Sequence, residues 1–338
     1  MTLAARERLA NFADGVARYQ AHGQRRQLAA PDAAWERGAA TLRDYGGTGP
    51  AVLVVPSLIN RSTVLDLAPD RSLLRTMAAE GLHTFLLDWG CPGETERSYT
   101  VEDYICRVLI PAVDEVARRT SMPVRVVGYC MGGTLAVASA VLAPTRVAAL
   151  AAVAAPWDFH AGTLTLRSVL TVMRPALEML IGVCGEAPFD LIQALFANLD
   201  PTLVGRKFRR FAALDPDSDE ARRFVVLEDW LNDPVPLTAA VARECLFAWY
   251  ADNTPARGLW RVAGTAIDPS RVVCPCLAMI PSRDRIVPPE SAQALARSLP
   301  NATIRPVPLG HIGMMASSRA ADVTYRPLIA WLKDATDV

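Results

Sequence analysis

Short apolar runs alternate with amphipathic stretches along two parts of the chain. Ala51-Val52-Leu53-Val54-Val55 is a β-branched run stopped by Pro56, which predicts a buried strand. Arg71 to Glu80 carries Leu73, Leu74, Met77 and Ala78 at helical spacing, with Asp70 as the expected N-cap and Gly81 as the stop. Thr84-Phe85-Leu86-Leu87 predicts a second strand. Thr100 and Asp103 form a capping-box pattern, opening a helix towards Arg119 that Pro111 should kink or break. Val124 to Val127 predicts a third strand, Thr134 to Leu142 a helix, and Val147 to Val153 a fourth strand.

That rhythm stops near residue 156 and returns near 268. Between these points lie helical stretches, several prolines and no convincing strand pair. Cys276 to Ile280 then predicts a strand, Glu290 to Leu299 a helix, Thr303 to Val307 a strand, and Tyr325 to Lys333 a last helix. Strands alternating with helices at this spacing imply a mostly parallel, doubly wound α/β sheet. The expected organisation is an N-terminal helical segment over 1–45 and an α/β core over 46–155 and 268–338. The helical insertion, 156–267, is expected to lie over the sheet's carboxyl edge as a lid.

Composition narrows the class. The 338 residues carry 35 basic and 35 acidic side chains, and 51% are apolar. Balanced charge argues against a nucleic-acid binder that relies on bulk basicity, and the apolar content excludes a disordered chain. The N-terminus has charges where a signal peptide needs its apolar stretch. No apolar run is long enough to predict a membrane span. Seven cysteines without an export signal predict free thiols in a reducing cytoplasm. Cys274-Pro275-Cys276 lacks a second cysteine pair or clustered histidines, so it reads as the opening of a buried strand rather than a zinc site.

Candidate chemistry centres on Gly128-Tyr129-Cys130-Met131-Gly132-Gly133, between a strand and a helix. It is a G-x-S-x-G nucleophile elbow with cysteine in the serine position. Small residues relieve the crowding where a strand turns straight into a helix. The sulfur is expected at a helix N-terminus, which favours the thiolate. Asp284 and His311 each follow a late strand, in the order nucleophile, acid, base that the elbow fold uses. His22, His83 and His160 compete poorly; His160, at the lid boundary, is the serious rival. The oxyanion hole is expected to use the backbone N–H of Met131, with a second donor from Pro56 to Asn60, where Ile59 is preferred to Leu58.

Beyond the elbow, the chain resembles the polyhydroxyalkanoate synthase family over about residues 45 to 335. The resemblance rests on Val55-Pro56-Ser57-Leu58-Ile59-Asn60-Arg61, Leu65-Asp66-Leu67, Arg71-Ser72-Leu73 and Phe85 to Gly90. Later segments are Asp229-Trp230-Leu231, Trp249 to Asn253, Val262 to Thr265, Asp284 to Pro289 and Gly310 to Gly313. The short N-terminus resembles the class III type. The resemblance implies an α/β-hydrolase fold and an acyltransferase that polymerises (R)-3-hydroxyacyl-CoA into polyester with CoA release. Cys130 would be the acylated nucleophile and His311 the general base. Asp284 would orient His311 or help to activate the incoming hydroxyl. It implies no cofactor, coenzyme A arriving as the substrate thioester, and a cytoplasmic place of work that extends to a polyester granule surface. A second, non-catalytic synthase subunit and a homodimer are its implied protein partners. The sequence departs from the family where Arg285 replaces the usual His after the acid, and in parts of the insertion. Arg61, Arg206-Lys207-Arg209-Arg210 and Arg285 are candidates for the phosphates of coenzyme A, with a solvated charged face as the plainer reading of the cluster. Hydrolysis by the same triad (a thioesterase, an intracellular polyester depolymerase or a dienelactone-type enzyme) and a non-catalytic granule-associated relative stay open as alternatives.

Overall fold

The apolar runs become neighbours in one eight-stranded sheet. Its strands are β1 (Ala33–Arg37), β2 (Ala40–Asp44), β3 (Ala51–Val55), β4 (His83–Asp88), β5 (Val124–Tyr129), β6 (Val147–Val153), β7 (Cys276–Pro281) and β8 (Thr303–Val307). The order across the sheet is β1-β2-β4-β3-β5-β6-β7-β8. From β4 to β8 all neighbours are parallel, and β1 and β2 join antiparallel at one edge. The computed structural model describes residues 2–162, 164–197, 200, 202–233, 235–300 and 302–335.

The central strands are buried and, Arg125 apart, mostly apolar because helices cover both faces. One core cluster joins Leu53, Val126 and Leu150 to the helices Met131–Leu142 and Ile110–Thr120. The other joins Val54, Val127 and Met279 to the helices Leu73–Ala79 and Arg326–Asp334.

Several expectations need correction. The segment 1–45 is helical only over Leu3–Ala21; residues 33–44 form β1 and β2, so the sheet reaches into it. β1 is the edge strand and mostly exposed, and β2 beside it buries only Ala40 and Leu42, so neither shows a long apolar run. The 3–21 helix packs on the lid helix Leu203–Ala212, with the Phe12 and Tyr19 rings against Phe208. Gly15 allows this approach, since a Cβ there would lie 2.1 Å from the Phe208 carbonyl oxygen. The cap of the 73–79 helix is Ser72, whose Oγ accepts from Arg75 N–H at 3.0 Å, and not Asp70. Pro111 does not break its helix. A π-helical turn, Tyr104–Leu109, precedes it and shifts the carbonyl register that the ring would strike. The Thr100–Asp103 capping box is present in both directions.

Above the sheet's carboxyl edge the insertion forms helices Leu164–Cys184, Phe189–Ala197, Leu203–Ala212, Asp219–Leu231 and Ala239–Arg243, the last continuing as a π-helix, Glu244–Ala251. It also holds two strand pairs of two residues each, Glu186–Ala187 with Leu237–Thr238 and Arg261–Val262 with Thr265–Ala266. Such pairs are too short to show a period-2 pattern. The insertion shares a core with the sheet through Trp157, Leu170, Ile181, Trp249 and Trp260.

Candidate active site

Cys130 ends β5 and precedes the 131–142 helix, with φ 56 and ψ −131. A side chain in that left-handed region is strained. Two things hold it there. Its N–H donates to Val153 O at 2.9 Å, and the surrounding glycines permit close packing. A Cβ on Gly128 would lie 2.4 Å from Gly133 Cα, and one on Gly132 would lie 2.1 Å from Val55 O. The glycines read as elbow residues are therefore required by contact with other backbone. The half-buried sulfur side chain packs against three separate apolar clusters, at the junction of sheet and lid.

Asp284 follows β7 by three residues. Its Oδ1 accepts from the N–H groups of Ile286 and Val287 at 2.8 and 2.9 Å, which fixes the carboxylate. Its Oδ2 lies 2.6 Å from His311 Nδ1. A carboxylate can only accept, so Nδ1 carries the proton and Nε2 is left for the nucleophile. Cys130 lies near enough for its charge to act on the His311 imidazole. Burial opposes charge on the imidazole, but the negative charge at Cys130 and Asp284 and the hydrogen bond to Asp284 outweigh it. The imidazolium is stabilised, and its pKa is pushed up to about 10.

The structure thus brings Cys130, Asp284 and His311 together from three strand ends. His160 does not join them; its Nε2 binds Ala251 O at 3.0 Å within the lid boundary. His83 pairs with Asp44, and His22 with Pro216 O. Met131 is the first residue of the helix after the elbow, where backbone N–H groups point out of the helix end. The Ile59 N–H, by contrast, donates to Ser57 Oγ at 3.0 Å and is engaged inside its own loop.

Other residues hold the site, and few of them carry a recognisable sequence pattern. Tyr129 donates its hydroxyl to the His311 carbonyl at 3.2 Å, and the two rings lie 5.2 Å apart. Burial, then the charge at Cys130, keeps that phenol protonated. Its position beside the nucleophile was the one available signal. Trp89 Nε1 donates to Pro56 O at 3.0 Å, and Trp230 Nε1 donates to Arg61 O at 2.7 Å. Both ends of the 56–61 loop are therefore held by tryptophans from segments that carried the family resemblance. Asn253, from another such segment, accepts from Phe159 N–H and donates to Asp158.

Five of the six basic candidates form ion pairs. Arg61 pairs with Asp233, Lys207 with Glu228 and Arg210 with Glu220. Arg206 and Arg285 share Asp200, at 3.0 and 2.5 Å. The residue that departs from the family pattern thus ties the acid loop to the lid. Cys276 Sγ reaches Cys274 O at 3.3 Å; both thiols are free and buried at the start of β7.

A strained elbow cysteine, a following acid and a following base on one parallel sheet define an α/β-hydrolase. The family profile for the alpha/beta hydrolase fold matches residues 50–317. Among solved structures, a hydrolase from Oleispira antarctica aligns with a TM-score of 0.55 at 14% identity, covering 88% of this chain and 96% of its own. The monoacylglycerol lipase of Paleococcus ferrophilus aligns at 0.54 and 15%, covering 88% and 99%. These two share the fold. Closer in sequence is the poly(3-hydroxyalkanoate) polymerase subunit PhaC of Synechocystis sp., 30% identical, with 84% of this chain and 77% of the relative aligned. The protein of the same name from Allochromatium vinosum is 28% identical over 84% of this chain and 80% of its own. The chain belongs to the poly(3-hydroxyalkanoate) polymerase family.

Proposed function

We propose that this protein is an acyltransferase that polymerises 3-hydroxyacyl-CoA through a Cys130 acyl-enzyme. The observation that carries this reading is the buried, hydrogen-bonded Asp284–His311 pair beside Cys130, at the strained elbow of a chain of this family. The Cys130 thiolate attacks the thioester carbonyl, with the Met131 N–H facing the developing oxyanion. Coenzyme A leaves as its thiol, taking the proton held on His311. One thioester replaces another, so little energy is stored or lost. The 3-hydroxyl of a second acyl-CoA then attacks the acyl-cysteine and passes its proton to His311. An oxyester forms, the Cys130 thiol is regenerated, and the lengthened CoA thioester acylates it again.

Asp284 keeps the imidazole in the required tautomer and stabilises its charged form. The second oxyanion donor comes from the 56–60 loop, as Ile59 once Ser57 releases its N–H or as the adjacent Leu58. The lid's place against the cysteine fits the need to keep water from the acyl-enzyme. This reading places the protein in the cytoplasm, with a second subunit and a second copy of itself as candidate partners. Among the described residues no helix is long and apolar enough to cross a membrane.

The test is incubation with 3-hydroxybutyryl-CoA, following CoA release and product together. Insoluble polyester is expected, and Cys130→Ala should lower CoA release by about 10⁴-fold or more. Release of free 3-hydroxybutyrate alone would convert the assignment to a hydrolase, and full activity in Cys130→Ala would refute the mechanism.

A further inference from the structure

A cleft that none of the triad residues lines opens where the lid, the core and the N-terminal segment meet. It holds about 820 Å³, within the range of small-molecule sites. Its walls are the lid helices 203–212 and 219–231, the core hairpin of Asp66–Ala68 with Arg71–Ser72, and the chain from Ala316 to Ser318. Gln24 adds the N-terminal segment. Leu67, Leu214, Phe224 and Leu227 give the cleft an apolar lining. Phe224 stacks on Phe211 at 4.3 Å and packs edge-to-face with Phe208 at 5.5 Å. That ring is engaged by two others, so the surface left for a guest is mainly aliphatic.

Charge around the cleft does not balance. Lys207 pairs with the buried Glu228, Arg210 with Glu220 and Arg222 with Asp219. Arg71 and Arg223 share one carboxylate, Asp70, at 3.0 and 3.1 Å. One positive charge is left over. Arg71 also carries an unused donor: its side chain is 12% exposed, and its buried Nε has no hydrogen-bond partner among the described residues. Such a donor costs free energy until an acceptor reaches it. Asp70 is half exposed, so either pair is weak. If one guanidinium turns to a guest, the other still holds Asp70. A single carboxylate matches the surplus charge and the planar fork of either arginine. A phosphate monoester, at about −1.5 to −2, overshoots it, and a neutral guest leaves it unmatched.

We propose that this cleft is a second ligand site, for an aliphatic monocarboxylate of the fatty-acid type. Its head sits between Arg71 and Arg223, and its tail runs along Leu67, Leu214 and Leu227. Arg71 belongs to the core and Arg223 to the lid, so the guest ties one to the other. The test is calorimetric titration of the full native chain with decanoate, below its micelle concentration. Binding of one equivalent is expected. Arg223→Ala should weaken it about tenfold or more, the loss of one charge-assisted contact, while circular dichroism stays unchanged. If that variant misfolds, Arg223→Lys, which keeps the charge but loses the fork, should still give a severalfold loss. Decanol, the tail without the charge, and adenosine diphosphate, a phosphate anion without the tail, should each bind at least tenfold more weakly than decanoate. Absent decanoate binding, or undiminished binding by a folded Arg223 variant, overturns the proposal. So does equal binding of decanol, which would mean a plain apolar patch, or of adenosine diphosphate, which would mean a phosphate site. The titration involves no turnover, so its outcome is separate from that of the polymerase reading.

Discussion

The sheet's carboxyl edge and the lid above it handle charge in opposite ways. At the edge, three ionisable groups converge: the buried Asp284 and His311 are hydrogen-bonded to each other, and the half-buried Cys130 acts on His311 through its charge. In the lid, most charged groups form exposed or half-exposed pairs, while one helix turns apolar side chains to the outside. Buried, mutually paired charges set chemistry, because losing one leaves the others uncompensated. Exposed pairs contribute little each. The difference predicts that substitutions at the edge alter turnover by orders of magnitude, whereas lid substitutions alter stability and leave the acylation step intact.

The sharpest break at the edge is Asp284→Asn. It keeps the shape but removes the acceptor that fixes the His311 tautomer, and kcat for CoA release should fall about 10²–10⁴-fold. Burial should be kept, so a melting curve near native would assign the loss to chemistry. An unchanged kcat would mean that Asp284 does not support His311.

Glu244, like the buried Glu228, departs from this lid pattern and tests the comparison from the other side. It accepts from Trp260 Nε1 at 2.9 Å. Burial first, then the nearby Glu102 charge, raise its pKa to about 7 from the usual 4.5. The folded state therefore binds the proton more tightly, and stability is lost as pH rises from about 4.5 through 7. Glu244→Gln should remove that loss, stabilising the protein at pH 8 by on the order of 2 kcal/mol relative to its effect at pH 5. Melting temperatures at the two pH values check this; an equal shift at both would contradict it.

The strands of the core were legible almost to the residue, and the lid was not. β6 and β8 span the predicted residues, and the cysteine, acid and base come from strand ends that the alternation placed in order. Buried parallel strands write their burial directly into β-branched runs. The edge strand β1 and its neighbour β2 lack such runs because they are only partly buried. In the lid the signal failed for another reason. The 164–184 helix carries apolar side chains on an outer face as well as on the inner face of Leu170, Leu177 and Ile181, so periodicity marked a helix without saying which side faced the core. The Tyr129 hydroxyl and the Ser57–Ile59 turn depend on contacts between or within loops that no periodic pattern encodes.

Smaller effects sharpen the contrast. Tyr129→Phe leaves the His311 carbonyl without its donor and should cost about 1 kcal/mol of stability with a severalfold loss in kcat. Urea unfolding and steady-state assays read the two effects, and a native kcat would exclude a positioning role. Arg285→Ala breaks an exposed pair with Asp200 and should change stability by about 0.5 kcal/mol or less. A large loss of stability would show that the acid loop depends on the lid for its fold.

The central claim is that the sulfur of the strained elbow accepts the acyl group. Rapid quenching after mixing with 3-hydroxybutyryl-CoA, followed by digestion and peptide mass mapping, tests it most directly. The account predicts a hydroxybutyryl adduct, labile to hydroxylamine, on the peptide containing Cys130 and absent from the exposed Cys91 and Cys184. CoA release with no adduct there at any quench time, or with the adduct on another residue, would contradict it.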